Sequence, residues 1–277
     1  MRTRIVSCLC FVSLSLVAPP LLAQPERNPQ SPWYLQERDR WWDVEIFLGV
    51  ESEPDYAGSD DSEVEPDADI RALFRDRKGN RYILSLGQVS GIFDLSPRTA
   101  LQITLEYEEG RDRENPALAE FEEVRDTLEG QISLFRRFGN TYLAGVLQPD
   151  ILGRGKGLVT FLALGHDRAI GEKVLLSPRI DVSWGDSEHM RTEFGISAAV
   201  AAASGLAPYE PGGGLKSATA ALGLRYDFSR QGSSRKWSLL ADLEVEHYFS
   251  KAADSPLIRD AGSDVTYEAA FGVLFRF

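Results

Sequence analysis

Apolar and polar side chains alternate along much of this chain. From 265 onward, Tyr267, Ala269, Phe271, Val273, Phe275 and Phe277 occupy every second position. A period of two is that of a β-strand with one apolar face. Trp237, Leu239, Ala241, Leu243 and Val245 alternate with Ser238, Asp242, Glu244 and Glu246 in the same way. Leu101, Ile103, Leu105 and Tyr107 alternate with Gln102, Thr104, Glu106 and Glu108. Val174, Leu176, Ile180, Val182 and Trp184 alternate with Ser177, Arg179, Asp181 and Ser183. Pro178 interrupts this last run, where its missing N–H predicts a bulge.

Twelve strands are predicted, near 42–50, 68–75, 81–87, 100–108, 127–137, 141–149, 158–166, 174–184, 190–202, 217–228, 237–248 and 265–277. Ten strands is the alternative count. Turn signals such as Arg77-Lys78-Gly79-Asn80, Gly139-Asn140 and Gly185-Asp186 separate several of them. The runs have the length of tilted membrane-spanning strands, with aromatics near their ends. A soluble sandwich turns its apolar faces inward, and a membrane barrel turns them outward. An aromatic edge left open at a chain end favours the barrel, because such an edge invites aggregation. The expected fold is therefore all-β: a transmembrane, antiparallel, up-and-down β-barrel over 42–277, closed by its last strand. Counting back from that strand places the charged connection at 110–126 on the periplasmic side.

The first residues change the picture by exporting the chain. Met1-Arg2-Thr3-Arg4 precedes an apolar run from Ile5 to Leu22, and Ala23 suits cleavage. Residues 1–23 thus read as a signal peptide. The rival reading, an uncleaved anchor, is weakened by Pro19 and Pro20. Residues 24–41 lack alternation and read as a periplasmic extension. Cys8 and Cys10, the two cysteines, both lie in the signal segment. The mature chain then has no thiol for a disulfide or a thiolate metal site. Without Arg2 and Arg4, 28 basic side chains face 42 acidic ones. That balance disfavours nucleic acid as a partner. The mean hydropathy of −0.22 does not oppose a barrel, whose strands hide in such averages.

Candidate chemistry is sparse. Asp186, Ser187 and His189 bring three hydrolase residue types together, but in no recognised motif. His166 and His247 stand apart, and all three histidines read as strand-end residues. The acidic run Asp55, Asp60, Asp61, Glu63, Glu65, Asp67 and Asp69 offers carboxylates for calcium, yet lacks EF-hand spacing. It reads as a solvated loop. Gly153-Arg154-Gly155-Lys156-Gly157 lacks the spacing and the hydroxyl of a phosphate loop. No cofactor or metal is implied. On the strands, Glu106, Arg179, Asp181, Arg225, Asp242, Glu244, Glu246 and Arg276 are expected to face the lumen. They either line a pore or pair across a filled interior.

Three loop segments narrow the reading. They are Pro54-Asp55-Tyr56-Ala57-Gly58-Ser59-Asp60-Asp61, the stretch from Ser204 to Gly214 around Gly205 and Tyr209, and Ala252-Ala253-Asp254-Ser255-Pro256-Leu257. With the terminal strand, they resemble in order the MipA/OmpV family of MltA-interacting outer-membrane proteins. The recurrent residues match Tyr56, Gly58, Ser59, Gly205, Tyr209, Asp254, Ser255 and Pro256. The resemblance implies a non-enzymatic barrel in the outer membrane of a Gram-negative bacterium, among lipid and lipopolysaccharide. It implies a scaffold joining a lytic transglycosylase to a penicillin-binding protein in murein synthesis, and a link to antibiotic susceptibility. The aromatics Tyr267, Phe271, Phe275 and Phe277 resemble the signal read by the barrel-assembly machinery. A passive or substrate-selective pore is the alternative function. The connection at 110–126 is the expected docking place for a periplasmic partner.

Overall fold

The computed structural model describes residues 41–108, 110–111, 118–228 and 236–277. The signal segment expected at 1–23, and the extension expected at 24–41 apart from Trp41, lie outside the described residues. Thirteen strands are described: β1 (Trp42–Pro54), β2 (Ser62–Arg75), β3 (Arg81–Leu84), β4 (Gln88–Ser96), β5 (Thr99–Glu108), β6 (Thr127–Phe138), β7 (Thr141–Pro149), β8 (Leu158–His166), β9 (Arg168–Ile170), β10 (Val174–Gly185), β11 (Gly214–Asp227), β12 (Lys236–Tyr248) and β13 (Val265–Arg276). Each pairs antiparallel with its neighbours. β13 joins β1 from Glu45↔Arg276 to Ser52↔Ala269, and β10 joins β11, so the sheet closes on itself. Closure removes the two open sheet edges that would template aggregation, while β2 runs past the short β3 over Ser62–Arg71.

Twelve strands form the ring, and β9 lies outside it. β9 continues the line of β8 along β10 in unbroken register, with pairing lapsing opposite Ser177 and Pro178. The bulge expected at Pro178 is therefore absent. A proline that cannot donate sits where β8 gives way to β9, and Ser177 Oγ bridges the lapse to Asp167 Oδ1 at 3.0 Å. The irregularity of β10 lies at Ser183/Trp184 instead, against β11.

Two expectations need correcting. The segment 190–202 is not a strand but two short helices, α1 (Ser187–Phe194) and α2 (Ala198–Ser204). Asp186 caps α1 by accepting from His189 N, and Ser197 caps α2 by accepting from Val200 N. Such caps satisfy N–H groups that a helix start leaves open, and alanine favours the helix that follows. The strand β4 (Gln88–Ser96), in turn, was not anticipated. One missed strand and one surplus strand leave the total at twelve but move every connection between them to the other end of the barrel. The connection at 110–126 accordingly lies at the end opposite Trp42 and Phe277.

The two ends differ. Short turns at 76–80, 97–98, 139–140 and 171–173 close the end that holds Trp42 and Phe277. The other end carries connections at 55–61, 109–126, 150–157, 186–213 and 249–264, with α1, α2, α3 (Ser250–Ala253) and α4 (Pro256–Arg259) among them. Along the wall, apolar side chains face out and polar ones in. Leu48 is 62% exposed, whereas Glu45 of the same strand is 2% exposed. Aromatics ring the turn end, with Trp237 and Phe275 4.3 Å apart and Phe275 and Phe277 4.7 Å apart. Tyr107, Trp184 and Tyr267 are exposed near the loop end. Two aromatic belts flanking an apolar band are the surface a bilayer selects.

Candidate functional site

The lumen has two levels. In its turn half, Leu73, Ile83, Ile92, Ala100, Phe135, Tyr142, Ala144 and Ala163 pack into one buried cluster. The Phe135 and Tyr142 rings lie 6.1 Å apart. This is an apolar plug, formed where the strand pattern turns large apolar side chains inward. Toward β10–β13, and above the plug, the interior is charged.

The predicted lumen residues fall on inward faces, and the structure pairs most of them. Arg179 Nε lies 2.9 Å from Asp181 Oδ1, and its NH2 lies 3.0 Å from Glu244 Oε2. Arg276 joins Glu45 across the β13–β1 seam. Glu246 lies 3.5 Å from Lys216 Nζ and accepts from the Tyr248 hydroxyl at 2.8 Å. Arg225 holds Asp227 at 2.8 Å, half-buried near the turn end. Asp242 stands opposite Gly223 in the β11–β12 register. Glu106 is buried on β5. Most of these charges therefore pair along their own strand or with a nearby strand, so this side of the lumen wall largely neutralises itself.

At the loop end, the three predicted loop segments meet although up to 205 residues separate them. The Tyr56 hydroxyl donates to Ala261 O at 3.0 Å, and Ser263 N donates to Gly58 O at 2.7 Å. Gly58 has φ +83°, and a Cβ there would meet Ile258 Cγ1 at 2.6 Å. Glycine is required on both counts. Ser59 is buried, and its Oγ accepts from Asp61 N. Gly205 ends α2 at φ +80° in the left-handed region. Tyr209 pairs its backbone with Ile196 and donates its hydroxyl to Lys251 O at 2.8 Å. Asp254 ends α3, Ser255 caps α4, and Pro256 fills the first turn of α4. Two apolar clusters underlie these bonds. Leu118, Phe121, Ile196, Val200 and Leu257 form one, and Met190, Phe194, Tyr248, Ala252 and Ile258 form the other. The loops thus make a packed cap over the barrel mouth.

Residues 46–277 match the family of the MltA-interacting protein MipA. This chain belongs to the MipA family. No curated protein matches it. Among solved structures it is similar to the translocator domain of autotransporter NalP from Neisseria meningitidis, at 10% identity over 88% of this chain and 91% of that one, TM-score 0.42. It is also similar to the Ralstonia pickettii toluene transporter TbuX, at 9% identity over 89% of this chain and 93% of that one, TM-score 0.36. The in-vitro folded OmpT of Vibrio cholerae matches at 6% identity over 87% of this chain and 99% of that one, TM-score 0.35. These likenesses are too distant to bear on function. Family and fold together place this MipA-family chain in the Gram-negative outer membrane. In such barrels the short turns face the periplasm and the long loops face outward. The cap and the connection at 110–126 are then extracellular, so this connection is not the periplasmic docking place expected from the sequence.

The hydrolase grouping of this MipA-family barrel does not assemble. Asp186 Oδ1 accepts from the His189 backbone N, and Ser187 Oγ accepts from Gly213 N. The His189 ring lies buried on α1, with Nδ1 3.0 Å from Lys156 O. Burial holds its pKa down to about 4, with Lys216 adding to the effect, so the ring is neutral and Nδ1–H donates to that carbonyl. His166 ends β8 beside Thr141, and His247 faces outward on β12. The glycine-rich stretch at 153–157 wraps a side chain rather than a phosphate: Asp150 accepts from Gly153 N, Arg154 N and Lys156 N. The acidic run divides, with Glu63 and Glu65 exposed on β2 and Asp67 and Asp69 buried inside the barrel. Sequence reasoning missed the residues that hold the cap together, chiefly Phe194, Val200, Leu257 and Ile258. Their one signal is apolar side chains inside loops at helical spacing, as in Met190 and Phe194.

Proposed function

We propose that this protein is a non-enzymatic outer-membrane scaffold that tethers a lytic transglycosylase of the MltA kind at the periplasmic face. A murein-synthesising penicillin-binding protein is the second partner. The observation that carries this reading is the family match over 46–277, whose description names an interaction with MltA. Two features of the barrel support it. The apolar plug and the packed cap both oppose an open channel. The turn end also presents a basic rim, with Arg77, Lys78, Arg98, Arg136, Arg168 and Lys173 exposed. Such a rim suits an acidic protein surface, through complementarity that aids encounter and selects partners. In this reading residues 1–23 are removed on export, and the outward aromatics Tyr267, Phe271, Phe275 and Phe277 are the mark read by the assembly machinery.

In-cell crosslinking, isolation of the tagged full chain and mass spectrometry of its partners test the proposal. A transglycosylase enriched over an unrelated barrel supports it, and its absence refutes it. The charged lumen favours a second reading, a narrow pore. Steady conductance of the folded chain in a planar bilayer would support the pore and count against the plug as a seal.

A further inference from the structure

Glu106 and Glu129 stand directly opposite each other on β5 and β6. Both point into the lumen and each is 8% exposed. Gln88 flanks Glu106 from β4. On the other side, Gln148 of β7 donates from Nε2 to Glu129 Oε2 at 2.6 Å, while Gln148 Oε1 is buried without a partner. The Glu106 carboxylate has no hydrogen bond or ion pair to a described residue. Its charged neighbours are Glu108, Glu129 and Arg71. Lys156 lies 2.8 Å from Glu108, and Arg71 lies 2.7 Å from Asp69. No cation of the described chain sits on Glu106.

Like charges directly opposed on adjacent strands repel. A buried carboxylate without a donor adds a desolvation cost. A guest that brings positive charge and several N–H donors removes both penalties. Hard divalent metals ask for six or more oxygens, and no group of three or more metal-binding side chains assembles among the described residues. A primary ammonium carries three donors, one each for Glu106, Glu129 and Gln148 Oε1. The wall is also low beside this place. β3 pairs with β2 over Ala72–Arg75 alone, and the Gln88↔Glu106 pair stands at the loop-side margin of the short β3–β4 hairpin.

We propose that Glu106, Glu129 and Gln148 form a lumenal binding site for a primary ammonium group. The site is independent of the scaffold reading. Two sources supply that chemistry: a free amine, or the headgroup of phosphatidylethanolamine.

The test uses the full chain folded into phosphatidylcholine vesicles and titrated calorimetrically with ethylammonium chloride. Tetramethylammonium chloride at equal ionic strength, which lacks N–H donors, is the comparison. A single-site isotherm with ethylammonium alone is expected, weakened at least about tenfold in Glu106→Gln and in Glu129→Gln. Glu172→Gln, which removes an exposed charge in the turn at 171–173, leaves it unchanged. In a second arm, phosphatidylethanolamine vesicles raise the unfolding midpoint over phosphatidylcholine for the native chain but not for Glu106→Gln if the lipid is the source. Glu106→Gln is isosteric and relieves a repulsion, so folding is expected, and Glu129→Gln gives a second route. Absence of both effects, or persistence of either in Glu106→Gln, overturns the site.

Discussion

Ser255 Oγ donates a 2.7 Å hydrogen bond to Phe194 O, both buried, across 61 residues of sequence. The bond ties the connection at 249–264 to that at 186–213 and so locks the cap. Ser255→Ala strands a buried carbonyl and removes the cap of α4, at a cost of about 1–3 kcal/mol. Amide exchange in both connections is expected to rise by roughly tenfold to a hundredfold, with the strand amides unchanged. Unaltered exchange in 186–213 would sever the two loops.

Gly58 makes a second lock. A side chain there must adopt a left-handed backbone and displace Ile258. Gly58→Val is expected to expose the loop end to protease in intact cells while the barrel still assembles. Retained protease resistance would show that the close approach to Ile258 is dispensable.

His189 makes the cap sensitive to acid. Its pKa is held down by burial to about 4 in the folded state, against an ordinary value near 6.5. Between those values the unfolded chain binds a proton that the folded chain refuses, so stability falls as pH drops through this window. Above about 6.5 the contribution is constant. Cap protection measured by limited proteolysis should therefore decline from pH 6.5 toward 4, and His189→Gln should flatten that decline. A flat profile in the native chain would mean that the imidazole stays accessible to protons.

Arg179 anchors the charged level of the lumen. Its loss leaves Asp181 and Glu244 without their shared cation, and breaking a buried pair in this way costs about 3–5 kcal/mol. Arg179→Met is expected to lower the urea midpoint of the vesicle-folded barrel. Adding Asp181→Leu and Glu244→Leu to it should recover most of the loss. Failure of the triple variant to recover would mean that Arg179 matters through its packing, not its charge.

The strands were legible where one face is apolar and the other charged. β5, β12 and β13 show it plainly, because Glu106, Glu244 and Arg276 interrupt runs of outward Leu, Val and Phe. β4 was hidden because it contributes to the plug: Ile92 points inward while Val89, Phe93 and Leu95 lie on the other face, so apolar side chains occur on both. The segment 190–202 misled for a related reason. Alanine and apolar residues there suit a buried strand as well as a helix, and the caps at Asp186 and Ser197 decide the matter only when read together with the four-residue step from Met190 to Phe194. The lumen charges followed from strand parity alone. The cap did not, since Gly58 against Ile258 and Ser255 against Phe194 are contacts between distant loops that no local period records. The glutamate pair at 106 and 129 needed the β5–β6 register, which a long connection leaves unset in the sequence.

The central claim is a scaffold whose working face is the basic turn end. A photo-crosslinking residue placed at Asn140 in the β6–β7 turn, and in a second chain at Leu206 in the cap, tests it most directly in living cells. The account predicts covalent adducts with a lytic transglycosylase from position 140 and none from position 206. Adducts from the cap position, or from neither position with the chain correctly assembled, would contradict it.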